Sequence, residues 1–247
     1  VISALYPYTE IGDKDSNNYR YNLLPSRKQH GGHEPTGTFF DQEDILTREE
    51  VLGNFSHRGK WHSFFKNDNP IVLELGCGKG EYTIALAQKY TQKNFIGIDI
   101  KGARFWRGAK TAVEENIENV AFIRSQIELV DHLFAENEVD EIWITFPDPQ
   151  IKYKRTKHRM TNTSFLKKYN HILKENGVVN LKTDSEFMHG YTLGLLQGEG
   201  HEILNANHDV YKNEGSPEEV TSTQTFYENQ YLEVDKAITF IQFRLKY

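Results

Sequence analysis

The sequence predicts an α/β fold with a mostly parallel sheet, because short apolar runs alternate with segments of helical spacing. The apolar runs, which are typical of buried strands, lie at residues 71–75, 94–99, 120–124, 140–146 and 177–184. Helical spacing occupies the intervening residues, at about 81–90, 102–116, 127–137, 162–175 and 185–199. A final alternating run, ITFIQFRL at 238–245, has no helix after it and therefore predicts a strand antiparallel to its neighbour.

The composition predicts a soluble protein with a large core. Of the 247 residues, 38% are hydrophobic, yet the longest apolar runs are far shorter than the roughly 20 residues that a membrane-spanning helix needs. The first residues, VISALYPYTE, lack the charged start and apolar run of a secretory signal, and the single cysteine, Cys77, excludes an internal disulfide. We therefore expect a cytoplasmic protein that does not associate with membranes.

Residues 1–58 differ from the rest of the chain, because they show no clear hydrophobic period. They contain the punctuated stretch HGGHEPTGTF and one candidate helix, TREEVLGNF at 47–55. We predict an amino-terminal arm over residues 1–58 and a single domain over residues 59–247.

The segment ELGCGKG, residues 74–80, joins the first predicted strand to the first predicted helix of this domain. Its glycines, Gly76, Gly78 and Gly80, allow a tight turn and let a ligand approach the backbone, while the helix amides favour an anionic group. The dinucleotide fingerprint spaces its glycines G-x-G-x-x-G, whereas here the third glycine comes one position early and an acid, Glu74, precedes the first by two. This spacing favours S-adenosylmethionine over a dinucleotide.

A second acid, Asp99, ends the next predicted strand about 20 residues further on, where a carboxylate can accept hydrogen bonds from both hydroxyls of a ribose. The alternative is that Asp99 is an ordinary surface acid beside ordinary turn glycines. We interpret Cys77 as a small loop residue and not as a nucleophile.

The strand at 140–146 runs into FPDPQ, which holds Asp148 between Pro147 and Pro149 at the edge where open α/β sheets bind ligands. A basic run follows within eight residues, although the whole chain has a net charge of −6. The run consists of Lys152, Lys154, Arg155, Lys157, His158 and Arg159, with Tyr153 as a candidate stacking group. A basic run is often only a solvated face, but beside a cofactor edge it indicates contact with a nucleic-acid backbone.

Two later features could complete the same site. Asp184 ends the strand at 177–184, and the TFYE segment, residues 225–228, precedes the final strand. The alternatives are a helix cap for Asp184 and an aromatic loop anchor for TFYE. The ten histidines show no grouping with cysteines or carboxylates that would complete a metal site, and no nucleophile stands beside a base, so we predict neither a metal nor a covalent intermediate.

Taken together and in this order, ELGCGKG, GID, FPDPQIKYKRTKHRM, LKTD and TFYE resemble the bacterial tRNA (guanine-N(7)-)-methyltransferase family over residues 59–245. The resemblance implies a Rossmann-like class I S-adenosylmethionine-dependent methyltransferase fold with a mostly parallel seven-stranded sheet and an antiparallel C-terminal strand. It also implies transfer of a methyl group to nitrogen-7 of a guanine in the variable loop of tRNA, which forms 7-methylguanosine.

The resemblance assigns roles to single residues, with Asp148 as the catalytic residue. The implied cofactor-binding residues are Glu74, Gly76, Gly78, Asp99, Gln126 and Asp148. The implied contacts to the guanine are Lys152, Asp184, Thr225, Phe226, Tyr227 and Glu228, and those to the RNA are Lys154, Arg155, Thr156, Lys157, His158 and Arg159. Two positions depart from the family pattern: Gln126 stands where many members have aspartate near the adenine, and Gln150 where many have tryptophan.

Three other hypotheses about the function stay open on the basis of the sequence. The first is a nicotinamide-dependent dehydrogenase, which the glycine spacing disfavours. The second is a non-catalytic RNA-binding module with a remnant cofactor site, against which the acids at Glu74, Asp99 and Asp148 count. The third is a methyltransferase that acts on another RNA, a protein or a small molecule. The sequence does not decide between a monomer and a homodimer.

Overall fold

The computed structural model describes residues 55–247, together with residues 21–22, 45–46 and 52 of the preceding segment. Within that segment, Tyr21–Asn22 and Ile45–Leu46 form a short antiparallel pair. The predicted arm and the candidate helix at 47–55 lie for the most part outside the described residues, so the division of the chain at residue 58 stays a prediction.

The domain is built on a seven-stranded sheet. Its strands are β1 (Ile71–Leu75), β2 (Asn94–Asp99), β3 (Val120–Arg124), β4 (Val139–Thr145), β5 (Leu173–Thr183), β6 (Glu202–Asn207) and β7 (Thr239–Arg244). The strand order is β3-β2-β1-β4-β5-β7-β6. Strands β1 to β5 pair in parallel, and β7 runs antiparallel to both β5 and β6. The predicted α/β fold, with its antiparallel last strand, is confirmed.

The described helices are α1 (Trp61–Phe65), α2 (Glu81–Lys89), α3 (Gly102–Glu114), α4 (Val130–Leu133), α5 (Thr163–Ile172), α6 (Glu186–Glu199), α7 (Glu218–Ser222) and α8 (Phe226–Glu233). Three of them begin at polar caps that satisfy the free amides of the first turn. Asn162 accepts from two amides of α5, Ser185 accepts from Met188 N of α6, and Thr225 forms a capping box with Glu228 of α8. The cap of α6 is therefore Ser185 and not its neighbour Asp184.

Several elements differ from the sequence prediction. Helices α1, α7 and α8 are absent from it, and β5 begins at Leu173, before the predicted start at residue 177. The helix expected at 127–137 is only a 3₁₀ turn, Ile127–Leu129, followed by α4, which ends at Leu133 because the backbone of Phe134 is extended. Glu138 accepts a hydrogen bond from the amide of Ala135 just beyond this end. Strand β6 is absent from the prediction, because its sequence, EILNAN, is polar. It lies at the edge of the sheet and is half-exposed, so burial does not impose an apolar pattern on it.

Strands β1 and β2 are buried along their whole length, which accounts for their continuous apolar runs. Because β1 to β5 are parallel, their carboxyl ends meet at one edge of the sheet, which we call the carboxyl edge. Asp99 is the last residue of β2, and the loops that follow the other four strands contain Gly76, Gln126, Asp148 and Asp184. Within the described part of the chain, no helix has the length and apolar character needed to cross a membrane.

Candidate active site at the carboxyl edge of the sheet

The three glycines of the 76–80 loop have left-handed backbones, with φ values of 80°, 55° and 74° at Gly76, Gly78 and Gly80. A Cβ atom on Gly80 would lie 2.7 Å from Phe122, so packing against β3 requires glycine there. A Cβ atom on Gly78 would meet nothing within 4 Å. The backbone at Gly78 therefore faces open space, as a loop that receives a ligand must.

Asp99 fastens this loop to the end of β2. Its Oδ2 accepts a hydrogen bond from Gly78 N at 3.0 Å and its Oδ1 accepts one from Lys101 N at 2.7 Å. Each carboxylate oxygen has a second lone pair, so Asp99 can accept further hydrogen bonds from a ligand in the open space beside Gly78. The predicted neighbourhood of the glycine loop and Asp99 is present in the structure.

Glu74 is buried and its carboxylate joins three elements. Oε2 accepts hydrogen bonds from the backbone N of Thr83, at 2.9 Å, and from the Thr83 hydroxyl, while Oε1 accepts one from the Thr145 hydroxyl at 2.6 Å. These contacts link β1 to α2 and β4 beneath the glycine loop. The predicted contact between Glu74 and the cofactor stays a prediction, because all of these partners belong to the protein.

Burial raises the pKa of Glu74 to about 7, although hydrogen bonds from Thr145 and Thr83 act in the opposite direction. The folded protein therefore binds this proton more tightly than the unfolded chain, in which the pKa has its ordinary value of 4.5. The resulting stabilisation is complete below pH 4.5 and is lost as the pH rises through 7. The difference between the two pKa values corresponds to about 3 kcal/mol.

Replacing Glu74 with glutamine should remove this pH dependence, because the neutral amide can accept from Thr83 and donate to Thr145. We expect the free energy of unfolding of the wild type, minus that of Glu74→Gln, to fall by up to about 3 kcal/mol between pH 4.5 and pH 7.5. Urea unfolding of both proteins across this range measures the difference. A difference that stays constant with pH would show that folding does not raise the pKa of Glu74.

Cys77 is buried, and burial raises the pKa of its thiol well above the ordinary value. The thiol therefore stays protonated at neutral pH, which fits the interpretation of Cys77 as a small loop residue.

The FPDPQ loop is held in a strained conformation. Phe146 and Gln150, on either side of the Pro-Asp-Pro triplet, have left-handed φ values of 48° and 46°, which cost about 1–3 kcal/mol each for residues other than glycine. Asp148 is exposed, and its Oδ1 accepts a hydrogen bond from Gln150 N at 3.0 Å. The loop thus presents a carboxylate from a fixed backbone at the carboxyl edge.

The basic segment after this loop forms an exposed 3₁₀ turn, Tyr153–His158. The side chains of Lys152, Lys154, Arg155, Lys157 and His158 are exposed, and the ring of Tyr153 is 89% exposed. Thr156 is half-buried and donates its hydroxyl proton to Tyr153 O. The predicted RNA-binding segment is therefore on the surface next to Asp148.

Arg159 has a different place from the rest of the basic segment. Its guanidinium is buried, donates hydrogen bonds to the carbonyls of Gln150 and Ile151, both at 3.2 Å, and packs against the rings of Phe187 and Tyr191. A buried guanidinium does not reach an RNA phosphate, so the contact predicted for Arg159 is not available in this conformation. Arg159 instead supports the FPDPQ loop from below.

The TFYE segment lies against the glycine loop. Phe226 and Tyr227, at the start of α8, are each about half-exposed, and Lys79 Nζ lies 4.1 Å from the ring centroid of Phe226. The backbone N of Phe226 donates to a carboxylate oxygen of Glu81 at 2.9 Å. Residues that are distant in sequence thus form one surface, with two aromatic rings beside the proposed cofactor loop.

Glu228 points into the protein. Its carboxylate is fully buried and forms an ion pair with Lys182 Nζ, at 2.6 Å from Oε1 and 2.8 Å from Oε2. The hydroxyl of Tyr211 donates to Oε1 at 2.7 Å, and the backbone N of Thr225 donates to Oε2 at 3.3 Å. The predicted contact between Glu228 and guanine stays a prediction, and it would require the carboxylate to leave these partners.

Two further predicted site residues, Asp184 and Gln126, follow strands at the carboxyl edge but differ in their contacts. Asp184 is mostly buried and forms an ion pair with Lys236. Gln126 follows β3 and is half-buried, and its side-chain amide makes no hydrogen bond to any residue that the structure describes. Among those residues there is also no group of three or more side chains that could hold a metal ion.

The sequence motifs do not predict three residues that belong to this site, which are Lys182, Lys79 and Tyr211. Lys182 could have been found from its position in VVNLKT, a largely uncharged strand. A lysine that is buried in such a strand needs a buried partner for its charge. Lys79 is the lysine within the glycine loop itself. Its contact with Phe226 depends on tertiary packing and leaves no trace in the local sequence.

Comparisons with known proteins agree with this architecture. A family model described as "Putative methyltransferase" matches residues 68–241. Among solved structures, a 16S rRNA methyltransferase, KamB, shares 12% identity with a TM-score of 0.58, covering 76% of this chain and 94% of that one. An antibiotic-related methyltransferase shares 18% identity with a TM-score of 0.54, covering 75% and 92%. At these identities the likeness shows the fold alone.

Curated relatives are much closer in sequence. A tRNA (guanine-N(7)-)-methyltransferase of Christiangramia forsetii is 72% identical over 202 residues, covering 81% of this chain and 90% of the relative. The protein of the same name from Porphyromonas gingivalis is 48% identical over 202 residues, covering 81% of each chain. With the glycine loop, the acid between prolines and the basic segment assembled at one edge, this chain belongs to the tRNA (guanine-N(7)-)-methyltransferase family.

Proposed function

We propose that this protein transfers the methyl group of S-adenosylmethionine to nitrogen-7 of a guanine in the variable loop of tRNA and so forms 7-methylguanosine. The observation that carries the proposal is the position of Asp148. Its exposed carboxylate stands on a strained loop that follows β4, the neighbour of β1 in the sheet, and that leads directly into the exposed basic segment. Membership of the family supports the same activity.

The residues around the glycine loop fit S-adenosylmethionine. Asp99 has free lone pairs for the ribose hydroxyls, and the half-buried amide of Gln126 can donate to and accept from the adenine. The open backbone at Gly78 and the first amides of α2 suit the methionine carboxylate. When bound, S-adenosylmethionine supplies an electrophilic methyl group on its sulfonium sulfur.

The protein needs no general base for this reaction. Nitrogen-7 of guanine has an in-plane lone pair and carries no proton, so the task of the protein is to align it with the methyl group. As the methyl transfers, positive charge develops on the purine. The carboxylate of Asp148, held on its rigid loop, stabilises that charge.

The surface around Asp148 fits RNA. Five exposed basic side chains of the 152–158 segment, in a chain of net charge −6, supply a local positive surface for phosphates. The exposed rings of Tyr153, Phe226 and Tyr227 can stack on unpaired bases, a contact worth about 1–3 kcal/mol per base. Lys152, Asp184 and Thr225 complete the proposed guanine contacts at the same edge.

The choice of acceptor is tested by incubating the protein with methyl-labelled S-adenosylmethionine and several candidate acceptors. We expect label in an unmodified tRNA transcript, and little in the same tRNA after complete prior 7-methylation. A ribosomal RNA fragment and a bulk protein mixture serve as the other acceptors. Preferential labelling of either of these would contradict the proposal and favour a methyltransferase with a different substrate.

A further inference from the structure

Helix α3 carries a group of exposed basic residues that none of the motifs above includes. Residues 100–113 contain Lys101, Arg104, Arg107 and Lys110 and no acidic residue, and the side chains of all four are exposed. We call these four residues the α3 basic face. It stands out because the chain as a whole has a net charge of −6.

Two of these charges lie where the helix dipole disfavours cations. The positive end of a helix dipole lies at its amino terminus and disfavours cations there, yet Lys101 stands at the N-cap of α3 and Arg104 in its first turn, which contains no acid. The acids Glu114 and Glu115 stand at the other end. Such an arrangement does not stabilise the helix itself, and it suits the binding of an external anion.

The described part of the chain offers few internal partners for these cations. Lys110 forms an exposed pair with Glu114 at 3.5 Å, while Lys101, Arg104 and Arg107 make no salt bridge to any described residue. The ring of Trp106 on the same helix is 40% exposed, and Lys110 Nζ lies 5.4 Å from its centroid. Exposed cations that form no salt bridge within the described part of the chain, close to a partly exposed aromatic ring, are typical of nucleic-acid-binding surfaces.

The helix is rigidly joined to the glycine loop. The backbone N of Gly108 donates to Lys79 O at 3.1 Å, and a Cβ atom on Gly108 would lie 2.9 Å from the same oxygen. On its buried side, Phe105 stacks on Phe122 with centroids 5.6 Å apart. A phosphate bound to the α3 basic face would therefore have a fixed position relative to the glycine loop.

The strand order places this face opposite the first basic segment. Strand β1, which leads into the glycine loop, lies between β2 and β4. Helix α3 follows β2, and the 152–158 segment follows β4. The two positive surfaces thus flank the glycine loop on either side of the carboxyl edge.

We propose that the α3 basic face is a second tRNA-binding surface, which binds phosphates of the tRNA while the 152–158 segment binds others across the site. The inference rests on the proposed function, because it takes tRNA as the polyanion. Two surfaces on either side of the cofactor loop fix the orientation of a folded RNA, which a single contact cannot do.

The test is the affinity for an unmodified tRNA transcript at several salt concentrations. The variant Arg104→Gln/Arg107→Gln removes two exposed charges whose side chains make no described hydrogen bond or salt bridge. We expect several-fold weaker binding, with the largest loss at low salt, and a slope of log affinity against log salt that is lower by about 1.5, since each lost phosphate contact contributes roughly 0.7–0.9.

The matched control is Lys66→Gln/Lys167→Gln, which removes two exposed lysines at the opposite edge of the sheet. Lys66 directly follows α1 before β1 begins, and Lys167 lines a cavity with Leu173, the first residue of β5. We expect this control to keep the affinity and salt slope of the wild type. Binding of S-adenosylmethionine should be unchanged in both variants.

An Arg104→Gln/Arg107→Gln variant with the affinity and slope of the wild type would overturn the inference. So would an equal loss in the control variant, because that would indicate a general effect of net charge. Failure of the proposed function has a separate signature, which is a wild-type protein that binds or methylates no tRNA at all.

Discussion

Replacing Lys182 with methionine is expected to lower the free energy of unfolding by about 3–5 kcal/mol, the usual cost of leaving a buried charge without its partner. Lys182 and Glu228 are both fully buried, and the lysine is the only cation among the described partners of that carboxylate. Burial lowers the pKa of Lys182, while the attraction of Glu228 opposes this shift. The pair joins β5 to the helix that carries Phe226 and Tyr227.

The matched control adds Glu228→Gln to Lys182→Met. Glutamine is neutral, its carbonyl oxygen can accept from Thr225 N and so preserve the capping box, and its amide group can donate to the hydroxyl oxygen of Tyr211. The double variant should therefore regain part of the lost stability. Urea unfolding of the wild type, both single variants and the double variant gives the coupling between the two positions. If the free energy of unfolding of Lys182→Met lay within about 1 kcal/mol of the wild-type value, Lys182 and Glu228 would not form a stabilising buried ion pair.

Replacing Asp148 with alanine is expected to lower turnover by about 100-fold or more, the usual effect of removing one group that stabilises developing charge. The thermal stability should change little, because the side chain is exposed and its one described hydrogen bond is to the nearby amide of Gln150. Single-turnover rates with saturating S-adenosylmethionine and tRNA measure the chemical step separately from binding.

The variant Asp148→Asn separates charge from loop shape. Asparagine can still accept from Gln150 N but carries no negative charge. If the carboxylate stabilises the positive purine, asparagine should be nearly as slow as alanine. Wild-type turnover in Asp148→Ala would remove Asp148 from the catalytic site, and full activity in Asp148→Asn alone would limit its role to the shape of the loop.

The fold could be predicted where burial imposes a pattern on the sequence. Strands β1 and β2 are buried on both faces and appear as continuous apolar runs, and the absence of a helix after β7 revealed its antiparallel direction. Edge strand β6 escaped prediction because half-exposed positions accept polar residues such as Asn205. Helix α4 ends early, where the backbone of Phe134 is extended and Glu138 accepts from the amide of Ala135, and local periodicity encodes neither feature.

The sequence predicts which segments come together in the site, but it does not predict whether a side chain in such a segment faces the ligand or the protein interior. The glycine loop and Asp99 had to meet, because the ends of adjacent parallel strands share an edge. By contrast, Arg159 and Glu228 lie within motifs that indicate surface contacts, yet tertiary packing turns both inward. Whether a side chain in such a motif faces the ligand or supports the loop is decided by distant partners such as Phe187 and Lys182.

The most direct test of the central claim is to identify the nucleoside that the purified protein methylates. Unmodified tRNA is incubated with S-adenosylmethionine and the protein, digested to nucleosides and analysed by mass spectrometry against authentic standards. We expect 7-methylguanosine as the product, formed at one position in the variable loop, and little of it with Asp148→Ala. Methylation of a different base, or of guanine at a different atom, would contradict this expectation.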